Sequence, residues 1–468
     1  MLPKIKLDNL RHERRKSMKK SRTYYELTPS QEVVKMQLLF SLDKRVINIL
    51  SSATSDKLLD VDLARQAISL AFMRNDSMHI KFVKKRKLVQ YFDALATCPE
   101  IPYIEFATKE EQEEFVKQRK KKAIRYKHGK VVEFYLCKTY DNKFMIFVKI
   151  CHLIADLYGL NIFYKDLFEV YDALANGKPL PKPLPKFEEV VKKDLAYKHN
   201  EKIKQRNFEF FDEYMRQREE PYYAGVHGLH SQIAKKNSNK RSMKMFLINN
   251  QTESYMKPMD RKTSSKIVDY CIEHKITPAN FLFYAVSLTQ SKLNNNVRNQ
   301  LQLELSNCRG TALERSVGGT KTQSLGCYVT MDPEAKLSES LDTFCKNQTL
   351  FYRHLGFSDF AFQMLTHKIW KSSNLRTYYA LTFSFVPVAK PEGVSIQIYS
   401  NNKCALPCYY AVMFDVNTHE MQFIYDAQRK LVCAEDIDRF HAAFEKVVDI
   451  MLGGSDPYLK EISLEEGK

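Results

Sequence analysis

No two cysteines of this chain stand in a C-x-x-C spacing, although ten are present, at 98, 137, 151, 271, 308, 327, 345, 404, 408 and 433. That absence argues against both a zinc site and a disulfide framework. Several of the thiols lie in apolar runs (F-Y-L-C, V-K-I-C, L-G-C-Y-V) and read as buried thiols in a reducing compartment. Long uncharged apolar runs are missing too. The most apolar stretch, Phe144 to Phe163, is broken by Lys149, His152 and Asp156, so no transmembrane span is expected. The N-terminal M-L-P-K-I-K-L-D-N-L-R-H-E-R-R-K is basic but has no apolar core behind it, which argues against a secretory signal and for a cytoplasmic protein. There is no short-period repeat.

What is present is an ordinary globular composition, 44% hydrophobic and 27% charged over 468 residues, enough for roughly two to three folding units. Lys and Arg total 73 against 55 Asp and Glu, a net charge of +18. The excess is clustered in the first 22 positions, over 117–130, and over 235–244. None of these clusters is interleaved with stacking aromatics, and no helix-turn-helix or zinc-finger spacing accompanies them, so nucleic acid is not the expected partner. They read first as solvated faces and second as docking surfaces for an acidic protein or an anionic substrate.

The pattern along the chain mixes helices and strands. Helices are predicted after Thr28 or Ser30, over 60–74, about 160–175, about 187–218, 262–274, 278–293 and 434–452. V-V-E-F-Y-L-C-K and K-F-M-I-F-V-K-I-C flank T-Y-D-N as a hairpin, and the second strand, apolar on both faces, is expected to be central. Later strands are predicted at L-Q-L-E-L-S, 378–387, 394–400, 408–416 and 420–426. N-G-K-P-L-P-K-P-L-P-K at 176–186 reads as a semi-rigid linker. The expectation is an α+β protein with a basic arm over 1–23, one lobe over 24–186 and a second over 187–468.

The chemically suggestive segment is C-H-L-I-A-D at 151–156, where a buried strand leaves its sheet. Histidine is the side chain able to act as a base near neutral pH, but H-x-x-x-D alone is a weak signal that also fits a surface histidine beside a helix-capping aspartate. No metal is expected, because no further ligands stand at compatible spacing.

With its context, C-H-L-I-A-D-L-Y-G-L-N-I-F-Y-K-D-L-F-E-V-Y-D-A-L-A-N-G-K-P-L-P resembles the core of the condensation domains of nonribosomal peptide synthetases, whose signature is H-H-x-x-x-D-G followed by a helix and a G-x-P-L-P linker. L-T-P-S-Q at 27–31, Arg74, I-T-P-A-N-F-L-F-Y-A at 276–285, S-N-C-R-G at 306–310 and L-G-C-Y-V-T at 325–330 match further motifs in the family's order. The resemblance covers about 24–460. It implies two chloramphenicol-acetyltransferase-like lobes in a V-shaped pseudo-dimer with the active site between them. It also implies His152 as the base or positioning residue, and Asp156 as a structural support paired with Arg309.

The departures lie at the same place. Cys151 stands for the first signature histidine, and is either an inert buried thiol or an oxidisable, nucleophilic one. Leu157 follows the aspartate where the family has glycine, with Gly159 two residues on, and its bulk is expected to narrow the channel. N-D-S-M-H follows Arg74, and Thr330 replaces an asparagine.

The resemblance implies a free-standing condensation-type acyltransferase that forms an amide, or as the lesser option an ester. Its donor would be an acyl-phosphopantetheine thioester on a carrier protein or coenzyme A, its acceptor an amine or alcohol. No permanently bound cofactor is expected. An acyl or peptidyl carrier protein is the expected partner, steered by the basic clusters, with a monomer as the default. The alternative is a catalytically degenerate condensation-like module that recruits a partner.

Overall fold

T-Y-D-N does close a hairpin, with Asn142 in the left-handed region at φ 59°. In the computed structural model, which describes residues 22–41, 43–228, 241–244, 251–404 and 406–464, this hairpin joins the centre of the first of two large sheets. The strands are β1 Asn48–Ser55, β2 Tyr103–Glu105, β3 Val132–Lys138, β4 Phe144–Cys151, β5 Thr252–Pro258, β6 Asn299–Asn307, β7 Thr322–Thr330, β8 Thr382–Val388, β9 Val394–Tyr399, β10 Cys408–Asp415 and β11 Met421–Gln428. The first sheet runs β9-β1-β4-β3-β2 and the second β7-β6-β8-β10-β11-β5. Every residue of β4 is buried, which accounts for its lack of alternation.

The helices used below are α1 Pro29–Ser41, α2 Val61–Arg74, α3 Lys109–Lys121, α4 Leu157–Ala175, α5 Phe187–Lys198, α6 Glu201–Arg216, α7 Pro278–Leu293 and α8 Ala434–Leu452. Thr28 and Gln31 cap α1 reciprocally: Thr28 Oγ1 accepts from the Gln31 amide, and Gln31 Oε1 accepts from the Thr28 amide. Helices α2 and α4 cover one face of the first sheet, where Ile68, Phe134, Ile146, Val148, Phe163 and Leu167 form one core. Helices α7 and α8 serve the second sheet, and Phe283, Phe383, Tyr410, Phe440 and Phe444 belong to its core. Arg74 clasps Asp166 of α4 and the Lys182 carbonyl, so the matched arginine ties two helices to the proline linker.

Two features cut across chain order. The charged segment over 187–218, expected as one helix, is two, because its halves serve different cores. Phe187, Val190 and Val191 of α5 join the first, and Phe211 and Met215 of α6 join the second, with Asn200 capping α6 between them. Further on, β9 crosses back to the first sheet and pairs antiparallel with β1, from Leu50↔Tyr399 to Ser55↔Val394. The two lobes are therefore stitched by backbone hydrogen bonds as well as by packing.

Candidate active site

Strand β4 ends at Cys151, and the chain then turns through 152–156 into α4. Backbone and side-chain bonds from three other segments hold this turn. The His152 amide donates to the Ile47 carbonyl (2.8 Å), Gln31 Nε2 donates to the Leu153 carbonyl (2.9 Å), and the Thr320 hydroxyl donates to the His152 carbonyl. Gln31 comes from the matched L-T-P-S-Q, so the opening motif buttresses the histidine loop. Cys151 is fully buried, and burial pushes its thiol up to about 12, which favours the protonated thiol over the thiolate.

His152 is only partly covered and lines a cavity of about 850 Å3. Its Nδ1 is buried without a hydrogen-bond partner among the described residues. Burial, opposed by the Asp156 charge, holds the imidazole below the ordinary histidine range. Burial thus favours the neutral ring over the imidazolium.

Asp156 is buried and receives five hydrogen bonds. Oδ1 accepts from the Gly159 amide (2.8 Å), capping α4, and from Arg309 Nη2 (3.0 Å). Oδ2 accepts from Arg309 Nη1 (2.8 Å), the Lys321 amide (2.8 Å) and Thr322 Oγ1 (3.2 Å). Burial raises the pKa of such a carboxyl, but Arg309 and the amide donors outweigh it and keep Asp156 ionised. Arg309 also donates to Asn307 Oδ1 and to the Gly319 carbonyl (both 2.8 Å), and lies over the Tyr158 ring at 4.6 Å. Of the residues expected at the site, Asp156, Arg309 and Gly159 are joined by hydrogen bonds, and Cys151 and His152 open the same turn.

Gly159 is needed for closeness. A Cβ there would stand 2.6 Å from the Gly319 carbonyl oxygen, so a side chain would push α4 off the incoming loop. The segment Gly318–Lys321 was not singled out from sequence, yet it is what the second half inserts against the first. Gly319 adopts φ +89° with Phe187 packed where a Cβ would be, and Lys321 Nζ pairs with Asp194 of α5 (2.7 Å) and with Glu314 (3.1 Å). The G-G dipeptide was its one visible signal.

Both halves supply the cavity wall, including Tyr158, Leu305, Ser324, Phe385 and Tyr399. Leu157 also lines it and packs against the first core and against a small cluster that includes Val386, Ala411 and Ile424. Thr330 bonds Asn299 at the exposed end of β7. Of the basic clusters, the first lies outside the described residues except for Arg22, and the third is described only at Arg241 and Lys244. The second spans the end of α3 and the loop beyond it. Among the described residues no helix is long and apolar enough to cross a membrane, and no group of three or more His, Cys, Asp or Glu is arranged to hold a metal.

Comparison with known proteins agrees with this architecture. The condensation-domain family model matches residues 21–374. The chain is 19% identical over 455 residues to a plipastatin synthase polypeptide of Bacillus subtilis (strain 168); that match covers 94% of the chain but 17% of the synthase polypeptide. Among solved structures, the chain is similar to an arginine mutant of the starter condensation domain of rhizomide synthetase RzmA in complex with C8-CoA. The TM-score is 0.76 at 14% identity, covering 94% of this chain and 98% of that one. The first condensation domain of the calcium-dependent antibiotic synthetase, in complex with a substrate analogue, gives 0.76 at 12% identity, covering 94% and 100%. The condensation domain of the monacolin K polyketide synthase MokA gives 0.75 at 13%, covering 93% and 99%.

Proposed function

The chain belongs to the condensation-domain family, and from that premise we propose that it joins an acyl thioester to an amine, with His152 as the base or positioning residue for the attacking nitrogen. The observation that carries this reading is a histidine on the wall of a cavity built by both halves, its burial favouring the neutral imidazole, on a loop that Thr320, Gln31 and the Asp156–Arg309 clasp hold in place. With Nδ1 buried, Nε2 is the nitrogen left to meet the acceptor. It accepts or orients the amine proton as nitrogen attacks the thioester carbonyl; collapse of the tetrahedral oxyanion then expels the thiolate. Asp156 does no chemistry in this scheme, since all its lone pairs toward the clasp are engaged.

The donor fits an acyl group on phosphopantetheine, borne by a carrier protein or by coenzyme A. C8-CoA is held by the mutant rhizomide starter domain, and a related double mutant holds C8-CoA together with Leu-SNAC. The basic last turn of α3 and the loop beyond it suit an acidic carrier or an anionic cofactor arm. An open 850 Å3 cavity that reaches His152 supports an active site over a degenerate, partner-recruiting module. The test is product analysis by mass spectrometry with acyl-coenzyme A or acyl-carrier donors and a panel of amines. An amide that requires the protein supports the reading, and hydrolysis alone, or no product across the panel, counts against it.

A further inference from the structure

Apart from the cavity at His152, the first lobe contains a second cavity of about 550 Å3. Five cations line it, Lys81, Arg119, Lys122, Lys130 and Lys149, against two carboxylates, Glu100 and Glu133. Lys149 stands opposite Glu133 in the β3–β4 ladder, yet its side chain is only 1% exposed and the carboxylate lies 3.7 Å from Nζ, beyond hydrogen-bond length. An ammonium so deeply placed, with one carboxylate at 3.7 Å and no acceptor at hydrogen-bond length among the described residues, is costly, and an anion in the cavity would offset that cost. The other cations point to the same need. Arg119 Nη1 donates to Tyr135 (2.7 Å) while its Nε is buried with no partner, and Lys81 has only the Gly129 carbonyl (2.6 Å). Lys122 and Lys130 have no carboxylate within ion-pair distance among the described residues. Burial, opposed by Glu133 and reinforced by Arg119 and Lys122, holds Lys149 below the ordinary lysine range.

We propose that this cavity is an anion site that takes a phosphoryl group, received between Lys149 and Arg119. A dianion matches the surplus of cations, where a single carboxylate would leave most of it uncompensated, and the volume leaves room for the organic part of an ester. The site neighbours the catalytic cavity through the sheet: Lys149 pairs across the ladder with Leu50, which lines that cavity, and precedes His152 by three residues. Free phosphate and the phosphate of a pantetheine arm present the same chemistry, and the experiment separates them. Anion binding here does not depend on acyl transfer.

The experiment is isothermal titration calorimetry of the full chain in phosphate-free, low-salt buffer with inorganic phosphate, 4′-phosphopantetheine and pantetheine. The phosphorylated ligands are expected to bind, with pantetheine at least tenfold weaker. Inorganic phosphate equal to the ester assigns the site to free phosphate; a tighter ester assigns it to the arm. Lys149→Met, which removes a buried charge held only by the Glu133 carboxylate at 3.7 Å, is expected to stay folded and to lose at least tenfold in phosphate affinity. Lys122→Gln/Lys130→Gln, at positions free of ion pairs, is expected to lose about threefold and serves if the first variant does not fold. Absence of a phosphate-dependent heat, or unchanged affinity in these variants, would overturn the proposal.

Discussion

Asp156 and Arg309, 153 residues apart in the chain, meet in a bidentate pair at 2.8 and 3.0 Å, and both are buried. One carboxylate caps the helix after the histidine loop while it receives the arginine, an amide and a hydroxyl from the other half. A buried pair of this kind is a weak source of net stability, but leaving one partner alone is expensive.

Asp156→Asn retains an acceptor for the Gly159 amide but removes the charge and the oxygen that accepts from Arg309, the Lys321 amide and Thr322. It is expected to lower unfolding free energy by about 3 kcal/mol or more by leaving Arg309 uncompensated. Asp156→Leu/Arg309→Met should cost clearly less than the sum of the single changes in chemical denaturation. Strict additivity would mean that the two residues act independently.

Gly159→Ala tests the approach of the second half to the histidine loop. Within a helix this change ordinarily favours folding by up to about 1 kcal/mol. Here the new methyl would lie 2.6 Å from the Gly319 oxygen, so destabilisation and a displaced loop are expected in thermal melts and in the activity of the folded fraction. A more stable, fully active variant would show that the contact is not tight.

Glu304 carries a pH signature in the second lobe. Burial raises its carboxyl to about 7, against hydrogen bonds from Tyr352 (2.8 Å) and Gln348 (3.0 Å). With the folded pKa above the unfolded 4.5, its stabilising contribution is complete below about pH 4.5 and disappears as pH rises through 7. Glu304→Gln should therefore exceed wild type at pH 8 by at most about 3 kcal/mol and match it near pH 4. Parallel stability profiles for the two proteins would contradict this.

Thiol chemistry distinguishes the cysteines. Cys433 is exposed, whereas Cys151 is enclosed with its thiol at about 12. A thiol-directed alkylating reagent at pH 7.5 should label Cys433 in the native protein and reach Cys151 only on unfolding. Cys151→Ala should keep most activity, since the position supports the loop through its amide to the Val131 carbonyl. Native labelling of Cys151 would reopen the nucleophilic reading.

Much of this was legible in the sequence because the informative residues carry their own constraints. The prolines of 176–186 exclude regular structure, β4 is apolar on both faces, and His152, Asp156 and Arg309 sit in recognisable runs. What was hidden is partner choice. The 394–400 run reads as a strand, but periodicity says nothing of which sheet it joins, and it joins the first as β9. The break at His199–Asn200 was masked by continuous charge, and only the burial of Phe187 and Phe211 in different cores requires it. Gly318–Lys321 matters through contacts more than a hundred residues away, as from Thr320 to the His152 carbonyl, which no local pattern announces.

The central claim is that a neutral His152 drives amide formation. It is tested most directly by the pH–rate profile of amide formation by wild type and His152→Ala, with folding of both verified by circular dichroism. Burial holds the imidazole below its ordinary range, so the wild-type rate should stay level below pH 6.5 before falling. The alanine variant should lose about a hundredfold or more and the acid limb with it. An undiminished rate in His152→Ala, with the same profile, would contradict the account.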